Sequence, residues 1–259
     1  MSLHTPVKAF VGAVVVFLLA GCTTVSETGR SQFMLMSPHS EMQLGFSEFS
    51  KMKQKVPISH DTQTQALIER VGRRIAAVAN LPNAQWEFVL FESKEPNAFC
   101  LPGGKVGVYT GILPITKDEA GLATVMGHEV AHAVARHGGE RVSAALGLQM
   151  IGTMVNSAAR ESRYAALIQQ GYGLGSQLGV ALPHNRKQES EADHIGLLYM
   201  ARAGYNPDAA VGFWQRFAQY NREHGSATPW FLRTHPLDEK RIADLQKAMP
   251  EAKAQFKPQ

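Results

Sequence analysis

The feature that most constrains how this chain folds is a metal-ligand pattern within an apolar helix. The stretch Gly127–Arg141 reads GHEVAHAVARHGGER and contains the pattern H-E-x-x-H at His128, Glu129 and His132. Residues four positions apart lie about 40° apart on an α-helix, so both imidazoles converge on one ion. Zinc suits such a site because it leaves one coordination position open, and Glu129 lies where a carboxylate takes a proton from bound water. The flanking Val, Ala and Met residues predict a buried helix, whose polar face needs a partner.

A third histidine, His137, follows in the same stretch. Metzincins place a third histidine ligand ten residues after the first, whereas His137 lies nine residues after His128. Nine residues rotate about 180° on an ideal helix, so His137 is expected to face away from the ion. The helix is predicted to run to Gly138-Gly139, with His137 in its last turn, where the helix C-terminus favours a partly cationic imidazole. Glu140 receives no role.

The stretch QESEADHIG is the best candidate for a further metal ligand. Glu189 and Asp193 are four residues apart and share a helix face, whereas Glu191 lies about 200° round from Glu189. In such a pair, one carboxylate binds the ion, and the other accepts a hydrogen bond from a ligating histidine and fixes its tautomer. An exposed, charged first helical turn is the alternative. The upstream H-E-x-x-H favours a metal site, with Glu189 rather than Glu191 as the ligand.

The order of the predicted elements indicates an α+β fold that is mostly helical. Hydrophobic residues recur at helical spacing from about Thr62 to Asn80. QWEFVLF alternates and predicts a strand, and NAFCLPGGKVGVYTGIL predicts two short strands joined across Pro102, Gly103 and Gly104. A few strands followed by many helices are typical of an α+β fold rather than of a βαβ array.

Capping residues predict where several helices begin. Thr116 with Asp118 and Glu119 is expected to open the histidine helix, a later helix is expected to begin near Asn185, and Asn206-Pro207-Asp208 is expected to cap the next one. Residues 142–159 contain no charge, but their many polar and small side chains favour a buried or site-covering helix over a membrane span. Membrane contact by residues 142–180 stays open as the alternative.

The N-terminus has the pattern of a lipoprotein signal peptide. The apolar run AFVGAVVVFLLAG is short for a membrane span and has the length of a signal-peptide core. It ends in Leu19-Ala20-Gly21-Cys22, which matches the bacterial lipobox, so Cys22 is predicted to carry a lipid. Thr23 follows in place of an aspartate, which favours an outer-membrane lipoprotein on the periplasmic side. An uncleaved anchor, or a secretory signal with a coincidental cysteine, is the alternative.

Three regions are therefore predicted along the chain. Residues 1–21 form the signal peptide, residues 22–60 a lipidated tether with an ancillary helix, and residues 61–250 the metal-binding domain. The chain has two cysteines, and with Cys22 lipidated, Cys100 is expected to be a small buried hydrophobe without a disulfide. The net charge of +4 is spread along the 259 residues, so no nucleic-acid partner is expected.

H-E-x-x-H followed by a helical E-x-x-A-D resembles the gluzincin zinc metallopeptidases of the HtpX and CAAX prenyl endopeptidase family. Three further stretches, NAFCLPGGKVGVYTGIL, ESEADHIG and THPLDEKRI, are similar to its soluble periplasmic lipoprotein branch, typified by LoiP and BepA. The resemblance covers about residues 25–245. It implies a zincin-type metallopeptidase domain with a small mixed sheet and one Zn²⁺ per chain.

The resemblance also implies roles for single residues. His128, His132 and Glu189 match the family's zinc ligands, Glu129 its general base, and Asp193 the acid that supports a ligand.

Two further roles near the C-terminus, and one on a strand, come only from the resemblance. His235 lies in the family's His-Pro element, where it either stabilises the oxyanion of the reaction or binds the zinc in a resting state. Arg241 follows at the family's usual distance and is expected to orient that region. The strand at Asn97–Leu101 resembles an edge strand that pairs with an extended substrate.

The expected function is a zinc-dependent endopeptidase that hydrolyses misfolded or misassembled envelope proteins. Its expected partners are unfolded substrates bound along Asn97–Leu101, the membrane through the lipid on Cys22, and the outer-membrane assembly machinery. The alternative is a chaperone or assembly factor whose zinc site is structural or blocked by its own chain. A fourth protein ligand, His235, would indicate that alternative, since closed coordination is typical of structural zinc.

Overall fold

The computed structural model describes residues 21–158, 185–224, 231, 234–236 and 239–258. Residues 21–37 and 138–158 belong to one compact unit, and residues 38–137 with the described residues from 185 onward belong to a second. The predicted signal peptide, apart from Gly21, and the part of the 142–180 stretch beyond residue 158 lie outside the described residues.

The elements follow one another in the order expected of an α+β chain. They are β1 (Cys22–Thr24), β2 (Ser31–Phe33), α1 (Pro38–Lys55), α2 (Thr62–Ala76), β3 (Glu87–Phe91), β4 (Ala98–Leu101), β5 (Lys105–Tyr109), a 3₁₀ turn (Thr110–Ile112), α3 (Leu113–Thr116), α4 (Glu119–Val134), α5 (His137–Ala158), α6 (Arg186–Arg202), α7 (Ala209–Glu223) and α8 (Glu239–Gln255). The prediction of a mostly helical fold with a small mixed sheet is confirmed.

The predicted tether contains regular structure. Strands β1 and β2 pair antiparallel, with Cys22 opposite Phe33, before α1 forms the predicted ancillary helix. The stretch predicted as a tether thus begins with a short antiparallel strand pair. The strands are three residues long, which is too short for an alternating pattern to stand out in the sequence.

The second sheet lies in the second unit and has the order β3-β5-β4. Strand β5 pairs parallel with β3 and antiparallel with β4, so β4 is an edge strand. The turn between β4 and β5 lies at the predicted place, and both of its glycines have positive φ, +85° at Gly103 and +81° at Gly104. That backbone conformation is accessible to glycine at little cost.

Helix α4 carries the histidine pattern and is buried along its length from Gly121 to Val134. It begins after Asp118, whose side chain accepts a hydrogen bond from the Gly121 amide, while Thr116 ends the preceding helix α3. The prediction that α4 runs to Gly138-Gly139 is wrong, because the helix ends at Val134 and α5 begins at His137.

The break between α4 and α5 is made by Arg136. Its φ of 56° is left-handed, a conformation that costs a residue with a Cβ about 1 kcal/mol or more. The guanidinium of Arg136 donates two hydrogen bonds to the carboxylate of Glu41 in α1, at 3.0 Å and 2.8 Å. This charge-assisted pair stabilises the turn. The local sequence does not predict the turn, because the residues around Arg136 favour a helix.

Helix α4 packs against α6, and two glycines set how closely they approach. A Cβ on Gly196 would lie 2.7 Å from the His128 amide nitrogen, and one on Gly127 would lie 2.9 Å from the Gly196 carbonyl oxygen. The helices therefore touch backbone to backbone immediately beside the first histidine. Asn185 caps α6 as predicted, in a reciprocal pair with Gln188.

Two further predictions can be compared with the helices. Asp208 precedes α7 but makes no side-chain capping hydrogen bond; the Asn206 side chain accepts one from the Asp208 amide instead. Within the described ranges, every helix falls short of the length and apolar character that crossing a membrane requires.

Candidate metal centre

Four buried side chains bring one potential ligand atom each to a common point in the second unit. They are His128 and His132 on α4, Glu189 in the first turn of α6, and His235 ahead of α8. All four ligand atoms lie within 4.8 Å of one another. The sequence pattern predicted the first three, and His235 came from the resemblance alone.

Four separations between these atoms are close to those between neighbouring ligands of a zinc ion. Nε2 of His128 lies 3.1 Å from Nε2 of His132 and 3.3 Å from Nδ1 of His235. Oε1 of Glu189 lies 3.3 Å from His132 Nε2 and 3.1 Å from His235 Nδ1. Zinc bonds of about 2.1 Å in a tetrahedron separate the ligand atoms by roughly 3.4 Å. The donor set of imidazoles and one carboxylate therefore fits zinc in chemistry and in size.

Asp193 and Arg241 support this cluster from the side away from the common point. Oδ1 of Asp193 lies 2.9 Å from Nδ1 of His128, the position predicted for the carboxylate that orients a ligating histidine. Arg241 donates to both Asp193 oxygens, at 2.7 Å and 2.8 Å, and its Nη1 lies 2.8 Å from Oε2 of Glu189. Arg241 also donates to the Pro236 carbonyl, 3.0 Å away, next to His235.

The electrostatics of the cluster favour a bound cation. Burial raises the pKa of Glu189, but the neighbouring His235, His128 and His132 outweigh burial and bring it well below its usual value. Burial lowers the pKa of His128, yet hydrogen bonding to Asp193 and Glu189 raises it overall to about 9. The carboxylates thus stay ionised and attract positive charge, which a divalent ion supplies when bound.

Glu129 lies beside the four ligand atoms rather than among them. Its side chain is buried, and Oε1 makes no hydrogen bond to any residue that the structure describes. Burial raises the pKa of this carboxyl, more than the charges of His235 and His128 lower it. Nε2 of His235 lies 3.6 Å from Oε1 of Glu129. A buried carboxylate oxygen without a hydrogen bond costs free energy, and this oxygen is placed to accept a proton from a water molecule beside the common point.

His137 contradicts the prediction made for it. The ideal-helix rotation does not apply, because the chain breaks after Ala135 and turns His137 back toward His132. Nδ1 of His137 lies 2.8 Å from Nδ1 of His132, and its Nε2 lies 2.9 Å from Oε2 of Glu191. His137 is fully buried and stays outside the group of four ligand atoms, as does Glu191.

Edge strand β4 passes close to Glu129. Burial raises the pKa of the Cys100 thiol in this strand, and the charge of Glu129 raises it further. Cys100 is a free thiol and is partly rather than fully buried, whereas a buried residue was predicted. Cys22, in the first unit, is exposed, and Glu140 forms an ion pair at 2.8 Å with Arg30 of that unit.

Trp214 on α7 is a neighbour of the site that the sequence did not indicate. Its ring lies 5.3 Å from the ring of His128 and 4.2 Å from the guanidinium carbon of Arg241. The tryptophan thus covers the ligand and the arginine together with an apolar surface. The apolar face of α7 predicts that Trp214 is buried, but it does not distinguish a tryptophan beside the site from other buried aromatic residues.

Comparison with known proteins gives a family match over most of the chain. Residues 62–249 match the model of Peptidase family M48. "Mitochondrial metalloendopeptidase OMA1" of Schizosaccharomyces pombe is 39% identical over 189 residues, which cover 73% of this chain and 54% of that protein. The OMA1 protein of Saccharomyces cerevisiae is 30% identical over 242 residues, covering 86% and 68%. "Beta-barrel assembly-enhancing protease" of Escherichia coli K12 is 29% identical over 228 residues, covering 85% and 46%.

The chain therefore spans about half to two thirds of the length of these relatives. The predicted location on the periplasmic side of the outer membrane is wrong by this comparison, because the two relatives of higher identity are mitochondrial by name. The prediction depended on a match of four residues after a short apolar run. Apolar leader segments occur in several targeting systems, so this match does not identify the compartment. Lipidation of Cys22 stays a prediction.

Proposed function

The chain belongs to Peptidase family M48, and from this premise we propose that it is a zinc metalloendopeptidase and propose how its residues divide the work and what it cleaves. One observation carries the proposal. Four buried potential ligand atoms, all within 4.8 Å of one another, lie beside Glu129, a buried carboxylate with an oxygen that makes no hydrogen bond in the described chain.

His128, His132 and Glu189 hold the zinc in this proposal. When bound, zinc polarises the scissile carbonyl and makes a water molecule acidic enough to react near neutral pH. Glu129 takes the proton of the attacking water and gives it to the leaving amine. Burial raises the pKa of this carboxyl in the metal-free protein, and this favours its neutral, proton-carrying form, from which the amine is protonated.

Asp193 and Arg241 keep the ligands in place. Asp193 lies at Nδ1 of His128, so the other ring nitrogen keeps its lone pair for the ion. Arg241 holds Asp193 with two hydrogen bonds and lies against Glu189, which fixes two carboxylates relative to each other.

The substrate lies extended along β4 in this proposal. The strand is at the edge of its sheet, and an extended peptide gains main-chain hydrogen bonds by adding to such an edge. Strand β4 packs against helix α4, which carries the proposed base Glu129, and this contact supports the arrangement.

Misfolded or misassembled proteins are the proposed substrate class. Strand addition reads the peptide backbone rather than a particular side chain, so any chain that exposes an extended segment qualifies, whereas a compact native protein does not. The similarity to a protein named for enhancing β-barrel assembly supports a substrate of this kind.

The test of the mechanism compares the wild type with Glu129→Gln and with Glu48→Gln, an exposed control. We expect zinc content to be equal in the three proteins, because Glu129 is not a ligand. Casein proteolysis should fall at least about 100-fold in Glu129→Gln and stay unchanged in Glu48→Gln. Full proteolysis by zinc-loaded Glu129→Gln would exclude Glu129 as the base.

Substrate alignment is tested with peptides in which one amide at a time is replaced by an ester. Loss of a hydrogen bond worth about 0.5–1.5 kcal/mol should raise KM roughly 2- to 10-fold at the positions that pair with β4, with kcat nearly constant. A flat profile along the peptide would contradict strand addition.

His235 favours a second candidate function, an assembly factor or chaperone with a zinc site blocked by its own chain. Nδ1 of His235 is one of the four potential ligand atoms, and as a fourth protein ligand it would take the coordination position that a substrate needs. The variant His235→Asn distinguishes the two. Faster proteolysis in the variant means that His235 blocks the site, and slower proteolysis means that it stabilises the transition state.

A further inference from the structure

A second histidine pair lies behind the metal centre. His132, one of the proposed ligands, has its Nε2 at the common point and its Nδ1 2.8 Å from Nδ1 of His137. Nε2 of His137 lies 2.9 Å from Oε2 of Glu191. His132, His137 and Glu191 are all buried, so these contacts form in the absence of bulk water.

The positions of the protons follow from the metal-binding requirement. An imidazole that binds an ion through Nε2 carries its proton on Nδ1, so His132 donates a hydrogen bond to Nδ1 of His137. Nδ1 of His137 is then an acceptor, and its proton is on Nε2. That Nε2–H donates to Oε2 of Glu191. These two hydrogen bonds therefore run in one direction, from the ion outward.

We propose that His137 and Glu191 are positioning residues that fix the tautomer and the ring orientation of His132. This inference rests on the proposed role of His132 as a ligand. The two histidines of H-E-x-x-H are then supported differently, His128 by the carboxylate of Asp193 and His132 by a neutral imidazole that a carboxylate orients in turn. Outer hydrogen bonds of this kind typically contribute 10- to 100-fold to metal affinity.

The break in the chain after α4 makes this arrangement available. In a continuous helix His137 would point about 140° away from the direction of His132, since five residues rotate the chain by about 500°. The left-handed Arg136, held by Glu41, redirects the chain so that the first residue of α5 faces the last histidine of the pattern. His137, which contacts His132 directly, therefore comes only five residues after it in the sequence.

A matched pair of substitutions separates the two contacts of His137. The Asn side-chain oxygen occupies the place of imidazole Nδ1, so His137→Asn keeps an acceptor for His132. The Gln amide occupies the place of Nε2, so His137→Gln keeps a donor for Glu191 and loses the acceptor for His132. We expect zinc affinity, measured by chelator competition, to fall roughly 10- to 100-fold in His137→Gln and to stay close to wild type in His137→Asn.

His194→Gln is the control, because His194 is exposed and pairs with Glu251 away from the site. Thermal unfolding of the metal-free proteins shows whether each variant folds. Equal zinc affinity in the wild type, His137→Asn and His137→Gln would overturn the proposal, and so would a larger loss in the Asn variant than in the Gln variant.

A second measurement keeps the proposal testable if a variant fails to fold. Long-range ¹H–¹⁵N NMR of the zinc-loaded wild type should show His132 protonated at Nδ1 and His137 protonated at Nε2. The opposite tautomer of either ring would overturn the assignment. Neither measurement depends on turnover, so failure here leaves the Glu129→Gln test of the proposed function intact, and failure of that test leaves these measurements valid.

Discussion

The guanidinium of Arg241 contacts two carboxylates of the metal centre at once. It binds Asp193 through two hydrogen bonds, lies against Glu189 and is stacked on Trp214. All these groups are buried, so removing the positive charge would leave the carboxylates uncompensated in a medium of low dielectric constant. Breaking a buried pair in this way typically costs about 3–5 kcal/mol.

Arg241→Lys tests whether the shape of this side chain matters as well as its charge. A lysine ammonium cannot bind both oxygens of Asp193 in parallel, so we expect a loss of a few kcal/mol in the free energy of unfolding of the metal-free protein. Urea unfolding measures it. Arg73→Lys, in the exposed pair with Glu69, serves as the control and should unfold at the wild-type urea concentration. Equal midpoints for Arg241→Lys and wild type would show that charge alone suffices.

Asp193 makes stability depend on pH. Burial raises the pKa of Asp193, but Arg241 and His128 outweigh burial and lower it below the usual 3.8. A carboxyl with a lowered pKa in the folded state stabilises the protein above its unfolded pKa, and the effect is lost as the pH falls through the folded pKa. The metal-free wild type should therefore exceed Asp193→Asn in unfolding free energy at pH 7, and this difference should shrink below pH 3.8. A difference independent of pH would contradict the assignment.

At the scale of single elements, the contact between α4 and α6 depends on two glycines. Gly196→Ala would place a methyl group 2.7 Å from the His128 amide nitrogen, a backbone atom that cannot rotate away. We expect the helices to separate, at a cost of about 1–3 kcal/mol in unfolding free energy and with weaker zinc binding. Denaturant titration and chelator competition measure the two effects.

Gly212→Ala on α7 is the matched control for this substitution. Its added methyl group would meet the flexible end of Arg216 at 3.2 Å, so the helix propensity of alanine should make it neutral or stabilising. If Gly196→Ala behaves like Gly212→Ala, the close approach of the two helices does not set the geometry of the site.

The cap of α6 gives a second prediction at this scale. The Asn185 side chain accepts from the Gln188 amide at the start of the turn that carries Glu189. Asn185→Ala should lower the unfolding free energy by about 1 kcal/mol. Asn185→Ser should lower it much less, because serine also caps helices. Thermal unfolding of the two variants decides, and equal melting temperatures would contradict a capping role.

The elements also show what the sequence can and cannot predict. H-E-x-x-H and the later carboxylates depend on helical periodicity within one element, and His128, His132, Glu189 and Asp193 all lie where that periodicity placed them. His137 was misplaced because a left-handed residue, stabilised by a partner 95 positions away in the sequence, ended the helix early. Local patterns carry no information about such a partner. His235 required the family resemblance for the same reason.

At the scale of the whole molecule, the metal centre joins distant parts of the chain. Its four potential ligands come from α4, from α6 and from the residue before Pro236. Zinc binds the folded arrangement much better than an unfolded chain, so binding stabilises folding by mass action. A free zinc concentration of 100 times Kd should add about 2.7 kcal/mol to the unfolding free energy.

The corresponding experiment compares melting temperatures with zinc and after chelation. We expect the wild type and His194→Gln to lose stability on chelation by the same amount. Glu189→Gln should lose much less, since a neutral amide binds zinc poorly. Wild-type melting that does not respond to chelation would contradict a metal centre that links the three segments.

The glycine contact between α4 and α6 has a consequence for protein engineering. A designer who grafts H-E-x-x-H onto a new helix copies two ligands and a base, but the supporting carboxylates reach the first histidine only if the second helix lies nearly against the backbone of the first. Ordinary helix pairs in design are spaced for leucine-sized side chains. The design of such a site therefore has to start from two helices that cross with a glycine of each in contact. The H-E-x-x-H residues are then placed on one of these helices.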